Sequence, residues 1–203
     1  MNRKYSVIVF DLGNVLIPFD YKIMTDRLNK VSSGLGEKFL ADYKINYHIH
    51  RSFESGVMTE IQFIDKMLNI LDHKIDSETF CRFFSEIFRV NQDVANLLTQ
   101  FKKNYKLILL SNTNSIHKKY GWEKFDFLKH FDKLILSHEV GAVKPEEKIY
   151  RAVEKISGYT PAEHLFIDDV KEYSDAAIKL GWDAINFVSY ENLLQEFQIR
   201  EVL

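Results

Sequence analysis

"YSVIVFDLGNVLI" (residues 5–17) carries a continuously apolar run that stops at Asp11, with Gly13 and Asn14 close behind. A strand buried on both faces of a parallel sheet has this unbroken hydrophobic character, whereas a half-exposed strand alternates. Four further runs repeat the pattern: "KLILL" (106–110), "KLILS" (133–137), "HLFID" (164–168) and "AINFV" (184–188). Helical periodicity separates these four. Val94, Leu97, Leu98 and Phe101 share one helix face before the second run, and Ile149, Val153 and Ile156 share another before the fourth. "SDAAIKLG" then closes on Gly181, a helix stop. Strands alternating with helices predict an α/β doubly wound domain with a parallel sheet.

The first gap breaks this rhythm, because residues 11–105 contain no further convincing strand. Amphipathic stripes occupy it instead: Ile61, Ile64, Met67 and Leu68, then Phe80, Phe83, Phe84, Ile87 and Phe88. Residues 17–90 are therefore expected to form an inserted helical subdomain, with 1–16 and 91–203 making the core. Within the insert, "SSGLG" (32–36) reads as a loop. An insertion directly after the Asp11 loop sits over the carboxyl ends of the strands, where such sheets bind ligands.

Composition narrows the class. The 203 residues are 46% hydrophobic and 28% charged, ordinary for a globular protein. With 27 basic against 29 acidic residues, the chain lacks the basic excess that nucleic-acid binding calls for. The single cysteine, Cys81, precludes an internal disulfide and suits a reducing compartment. No apolar run approaches the roughly 18–20 residues of a membrane span. The amino terminus lacks a small-residue cleavage site, so a cytoplasmic location is expected.

Polar residues recur where the apolar runs end. Asp11 follows the first, Ser111 in "LLSNTN" the second, and Asp168 with Asp169 in "FIDDV" the fourth. After the third comes "GAVKPEEKIY", where Lys144 precedes a helix expected to start at Pro145 or Glu146. A parallel sheet gathers all its carboxyl ends on one edge, so residues from position 11 to position 169 should converge. Taken singly, each has a plain explanation: an aspartate in a turn, a serine capping a helix, a solvated lysine. Together they make a chemical set. Three carboxylates repel one another unless a cation lies among them, and an all-oxygen site suits Mg²⁺. A lysine and a hydroxyl beside them, with backbone N–H groups of the adjoining turns, would hold an anion. That combination describes phosphoryl transfer, with Asp11 free to attack phosphorus. Lys144 would clamp the phosphate oxygens and hold Asp11 ionised by proximity.

Asp11 in "VFDLGNVL", Ser111 in "LLSNTN", Lys144 in "GAVKPEEKIY" and Asp168–Asp169 in "FIDDVKEYSDAAIKLG" resemble the four motifs of the haloacid dehalogenase-like hydrolases. The resemblance covers the whole Rossmann-like core, with the helical insert at the place of that superfamily's first type of cap. "DLGNV" with "LSNTN" is most similar to its phosphatases acting on sugar phosphates such as glucose 1-phosphate. It implies an Mg²⁺-dependent phosphatase working on small phosphorylated substrates. By position, Asp11 matches the nucleophile, Ser111 the phosphate-binding hydroxyl and Lys144 the phosphate-clamping lysine. Asp169 matches the usual metal-ligand aspartate, with Asp168 as a ligand or an outer partner and the Gly13 backbone oxygen as a further ligand. Gly13, Asn14 and Asn112, in the turns after the first two strands, are candidate phosphate-binding positions.

Two departures stand out. Most phosphatases of the superfamily carry a second aspartate where this chain has Gly13, and that side chain serves as general acid and base. Tyr173 stands where close relatives have a small polar residue. In the insert, "HIHRSFESGVMTEIQF" (48–63) resembles a cap segment whose glutamate and glycine, here Glu54 and Gly56, face the active site, and Arg51 would add a positive charge there. His48, His50 and His117 have no carboxylate or cysteine at structural-zinc spacing, which argues against zinc. A dehalogenase of the same superfamily is the enzyme alternative. It needs no metal, and Asp168–Asp169 argues against it. A phosphate-binding protein weakened by Gly13 is the other alternative.

Overall fold

The structure, a computed structural model, describes residues 4–203. Five parallel strands form one sheet: β1 (Val7–Phe10), β2 (Lys106–Ser111), β3 (Lys133–Leu136), β4 (His164–Asp168) and β5 (Asp183–Asn186), in the order β3-β2-β1-β4-β5. Every apolar run singled out in the sequence supplies one of them. The fifth starts and ends earlier than its run, since β4 pairs with β5 from Leu165↔Asp183 to Asp168↔Asn186. In register, Phe10 lies beside Leu109 on one side and Ile167 on the other. Strand order reverses at β1, so the crevice between β1 and β4 is a topological switch point, where doubly wound sheets take their ligands.

Alternate side chains along each strand serve opposite faces. Ile8, Phe10, Leu107, Leu109 and Ile167 pack against α6 (Gln92–Phe101) and α10 (Tyr190–Ile199). Val7, Val9, Ile108, Leu110 and Phe166 pack under α8 (Glu147–Ser157) and α9 (Lys171–Lys179). Both faces being covered is the reason β1 contains no polar residue before Asp11. A single turn, α7 (Ser137–Val140), follows β3. Helix α8 starts at Glu147, later than its sequence signal, because Glu146 adopts the extended cap conformation.

Between β1 and β2 lie α1 (Tyr21–Val31), α2 (Leu35–Ile45), α3 (Tyr47–Glu54), α4 (Glu60–Ile70) and α5 (Ser77–Ser85). They enclose a separate apolar cluster that includes Met24, Phe39, Phe53, Phe63, Phe80 and Phe84. Local signals set the helix starts: Thr59 and Gln62 form a reciprocal capping box for α4, and Asp76 accepts the Thr79 N–H at the head of α5. Two expectations need correction. "SSGLG" is only half a loop, because the buried Leu35 and Gly36, whose N–H donates to the Asn29 side chain at 2.8 Å, already belong to α2. The stripe through Phe88 is not one helix either. Helix α5 ends at Ser85, and Phe88 pairs with Phe19 in an antiparallel bridge.

That bridge joins the two linkers of the insert. Asp20 donates to the Ile87 carbonyl (3.1 Å), Arg89 to Pro18 (3.0 Å) and Asn91 to Leu16 (2.8 Å). The way in and the way out thus run side by side as a two-stranded ribbon.

Candidate active site

Asp11 is the first residue past β1, and its backbone N–H donates to the Ile167 carbonyl at 2.8 Å, which seats it beside the end of β4. Lys144 enters the same place from the loop after α7. Its Nζ lies 2.6 Å from Asp11 Oδ1 and 2.6 Å from Asp168 Oδ2. Only 1% of this lysine is exposed, and its ammonium also lies over the rings of Tyr173 (5.1 Å) and Phe166 (5.5 Å). An unpartnered buried ammonium would be strongly disfavoured, so the two carboxylates and two aromatic faces are what hold it there.

The electrostatics follow from burial. Desolvation works to lower the Lys144 pKa, but Asp11 and Asp168 outweigh it and the group is raised. Burial pushes the Asp11 carboxyl up to about 7, against the pull of Lys144 and with Asp168 adding to the rise. Burial also raises Asp168. Lys144 thus pulls the Asp11 carboxyl down, as its proximity predicts, while burial pushes it the other way.

The acidic pair divides its work. Both oxygens of the fully buried Asp168 are taken: Oδ2 by Lys144 and Oδ1 by the Val170 N–H at 2.8 Å. Asp169 is half-buried and receives the Asn14 amide at 3.0 Å. Asp11, Asp168 and Asp169 bring carboxylate oxygens within 4.8 Å of one another. Three carboxylates against one ammonium leave an excess of negative charge, and hard oxygen donors in that number fit Mg²⁺. The Gly13 carbonyl accepts the Val15 N–H at 2.7 Å and keeps a second lone pair.

Ser111 ends β2 and is buried, its hydroxyl turned toward the Asn112 carbonyl at 3.3 Å. Asn112, a candidate phosphate-binding position, holds the backbone of Lys144. Its Oδ1 accepts the Lys144 N–H (2.8 Å) and its Nδ2 donates to the Lys144 carbonyl (3.1 Å). Ser137, which no sequence signal marked, ties the two loops together by bonding both the N–H and the carbonyl of Thr113.

These residues open into a cavity of about 320 Å³, at the small end of ligand sites. Asp11, Gly13, Asn14, Ser111, Asn112 and Lys144 line its sheet side. Tyr21, Tyr43, Tyr47, His50 and Glu54 line it from the insert. Glu54 is thus where the sequence placed it, with Oε1 3.0 Å from His50 Nε2. Arg51 is elsewhere: its guanidinium donates to the Lys144 carbonyl at 2.5 Å. The tyrosine wall escaped sequence reasoning, because Tyr21, Tyr43 and Tyr47 come from three separate helices and share no period. Burial keeps His117 neutral, well below the ordinary histidine pKa, and its Nδ1 lies 3.2 Å from the Asn114 amide. Among the described residues the acidic trio is the cluster suited to a metal, and the histidines form none.

A family model described as haloacid dehalogenase-like hydrolase matches residues 5–181. The chain is 27% identical over 190 residues to the D-ribitol-5-phosphate phosphatase of Bacteroides thetaiotaomicron, covering 87% of this chain and 88% of that one. It is 25% identical over 179 residues to pyrimidine 5′-nucleotidase YjjG of Escherichia coli, covering 83% and 79%. Among solved structures, a Bacteroides thetaiotaomicron enzyme of the haloacid dehalogenase family, in complex with magnesium and inorganic phosphate, matches with a TM-score of 0.78 at 26% identity. That match covers 89% of this chain and 93% of that one.

Proposed function

The chain belongs to the haloacid dehalogenase-like hydrolases, and from that premise we propose that it is an Mg²⁺-dependent phosphatase of small phosphomonoesters, sugar phosphates among them. The observation that carries this reading is the Lys144 ammonium, 2.6 Å from both Asp11 and Asp168 with Asp169 alongside, in the wall of the cavity beneath the insert. A carboxylate nucleophile, a buried cation and a hydroxyl at one point suit attack on phosphorus.

Asp11 attacks the phosphorus in line and takes the phosphoryl group. Lys144 and Ser111 bind the oxygens on which charge accumulates. Asp168, with both oxygens already engaged, holds Lys144 in place. Asp11, Asp169 and the Gly13 carbonyl are the groups to hold the metal. When bound, Mg²⁺ supplies the positive charge that lets a phosphate dianion approach Asp11 and keeps that carboxylate ionised. Water then releases phosphate from Asp11 and restores the free carboxylate. Gly13 offers no side chain to protonate the departing alkoxide, so substrates with stable leaving groups should turn over fastest. Residues 17–90 act as a lid that walls the leaving-group side of the cavity. The relatives' named substrates, ribitol 5-phosphate and pyrimidine nucleotides, support small phosphorylated metabolites. No helix among the described residues is long and apolar enough to cross a membrane. The single buried thiol, Cys81, fits a reducing cytoplasm.

The test is a screen of phosphorylated metabolites with Mg²⁺ and with EDTA, comparing the wild type with Asp11→Asn. Phosphate release from sugar phosphates that needs both Asp11 and the metal is expected. Turnover of 2-haloacids in EDTA, with no Asp11-dependent phosphate release, would overturn it.

A further inference from the structure

Arg51, in the last turn of α3, makes a bond that the chemistry described above does not use. Its Nη2 donates to the backbone carbonyl of Lys144 at 2.5 Å, across 93 positions of sequence. The same carbonyl accepts the Asn112 amide from the sheet side at 3.1 Å. One peptide oxygen is therefore held by two donors, one from the sheet and one from the lid. The Lys144 N–H is fixed as well, by Asn112 Oδ1 at 2.8 Å.

The guanidinium is itself aimed. Arg51 Nη1 lies 3.7 Å from Glu54 Oε2, and Glu54 Oε1 lies 3.0 Å from His50 Nε2. Both partners are buried on the cavity wall. Five residues beyond Arg51, Gly56 presses its backbone against the carbonyl of His138, so closely that a Cβ would come within 2.6 Å of that oxygen. Residues 51–56 of the lid thus meet residues 138–144 of the core along one seam, and the bond to Lys144 is its charged member.

We propose that Arg51 is a positioning residue that couples the seating of the lid to the placement of the Lys144 ammonium. With the lid seated, the Lys144 peptide is gripped from both sides and its side chain is delivered to Asp11 and Asp168. With the lid lifted, the grip is one-sided and the ammonium has more freedom. Charge-assisted bonds to a neutral carbonyl are among the stronger hydrogen bonds. Misplacement of a reacting group by about 1 Å can cost about a hundredfold in rate. Arg51 would then set kcat without touching substrate, in contrast to a lid arginine that binds the leaving group.

This inference rests on the phosphatase reading for its kinetic arm but not for its structural one. With p-nitrophenyl phosphate as probe, Arg51→Ala should lower kcat about tenfold or more with a smaller change in KM. Arg51→Lys should be intermediate, and millimolar guanidinium should restore part of the Arg51→Ala rate without raising that of the wild type. By hydrogen exchange, the Lys144 amide should exchange faster in Arg51→Ala while amides of β1 and β4 keep their wild-type protection. Wild-type kcat in Arg51→Ala, or a loss confined to KM, overturns the proposal, as does unchanged exchange at Lys144. A variant that loses strand protection as well reports unfolding, and Arg51→Lys then decides: full loss in it, with strands intact and no faster Lys144 exchange, also overturns it. If the wild type releases no phosphate that depends on Asp11, the phosphatase reading fails by itself, and the exchange measurement still tests the coupling.

Discussion

A Cβ built on Gly13 would lie 3.5 Å from the Phe19 ring and 3.9 Å from Asp11 Oδ2, ordinary contact distances. Neither the packing nor the backbone demands glycine there, so Gly13→Asp should fold and place a carboxyl beside the nucleophile. A positioned general acid contributes about 10²–10⁴ in rate, and an acid newly installed should recover about tenfold or more on an alkyl phosphate. On p-nitrophenyl phosphate, whose phenolate leaves unprotonated, the change should be small. Equal gains on both substrates would show that the leaving-group proton is not what Gly13 withholds. At this scale the sequence was readable where chemistry coincides with a strand end. Asp11, Lys144, Asp168 and Asp169 converge because a parallel sheet forces them to. The sequence marks Arg51 and Asn112 as anion-binding positions, and in the structure both hold the Lys144 backbone. Bonds from a side chain to a distant carbonyl leave no pattern in composition or period.

Among the elements, the lid helices were legible where an apolar stripe met a cap, as in α4 with its Thr59–Gln62 box. They were not legible at Phe88, which keeps helical spacing yet serves the bridge to Phe19. The turn after α3 carries its own prediction. Gly56 has a φ of +71° and no room for a Cβ against the His138 carbonyl. Gly56→Ala should cost about 1–2 kcal/mol from the left-handed backbone alone, measured by urea denaturation. Because the crowded oxygen belongs to the core, kcat should fall and KM should rise when the lid is pushed off its seat, since the same seam holds the Lys144 carbonyl. Unchanged stability together with unchanged kcat and KM would show that residues 51–56 do not dock there.

For the whole molecule, the sheet order and its reversal at β1 place the acidic trio and Lys144 in one crevice. A ligand that binds only the assembled crevice must stabilise the fold as a whole. Mg²⁺ with inorganic phosphate at about a hundred times the dissociation constant is worth about 2.7 kcal/mol, which for a chain of this size is a rise of about 5–10 °C in Tm. Asp169→Asn should abolish that rise while leaving the Tm without ligand near that of the wild type. A rise that survives the substitution would place the metal elsewhere. The α/β class was legible from five apolar runs. The shape of the cavity was not, since its far wall is drawn from α1, α2 and α3, brought over the sheet by a ribbon whose pairing no local signal announces. The chain leaves the core at Leu16 and returns at Asn91 with the two bonded to each other, so both ends of the insert meet at one point of the core. A different insert, or a bare tight turn, spliced across the same two residues should leave the path of all five strands as it is.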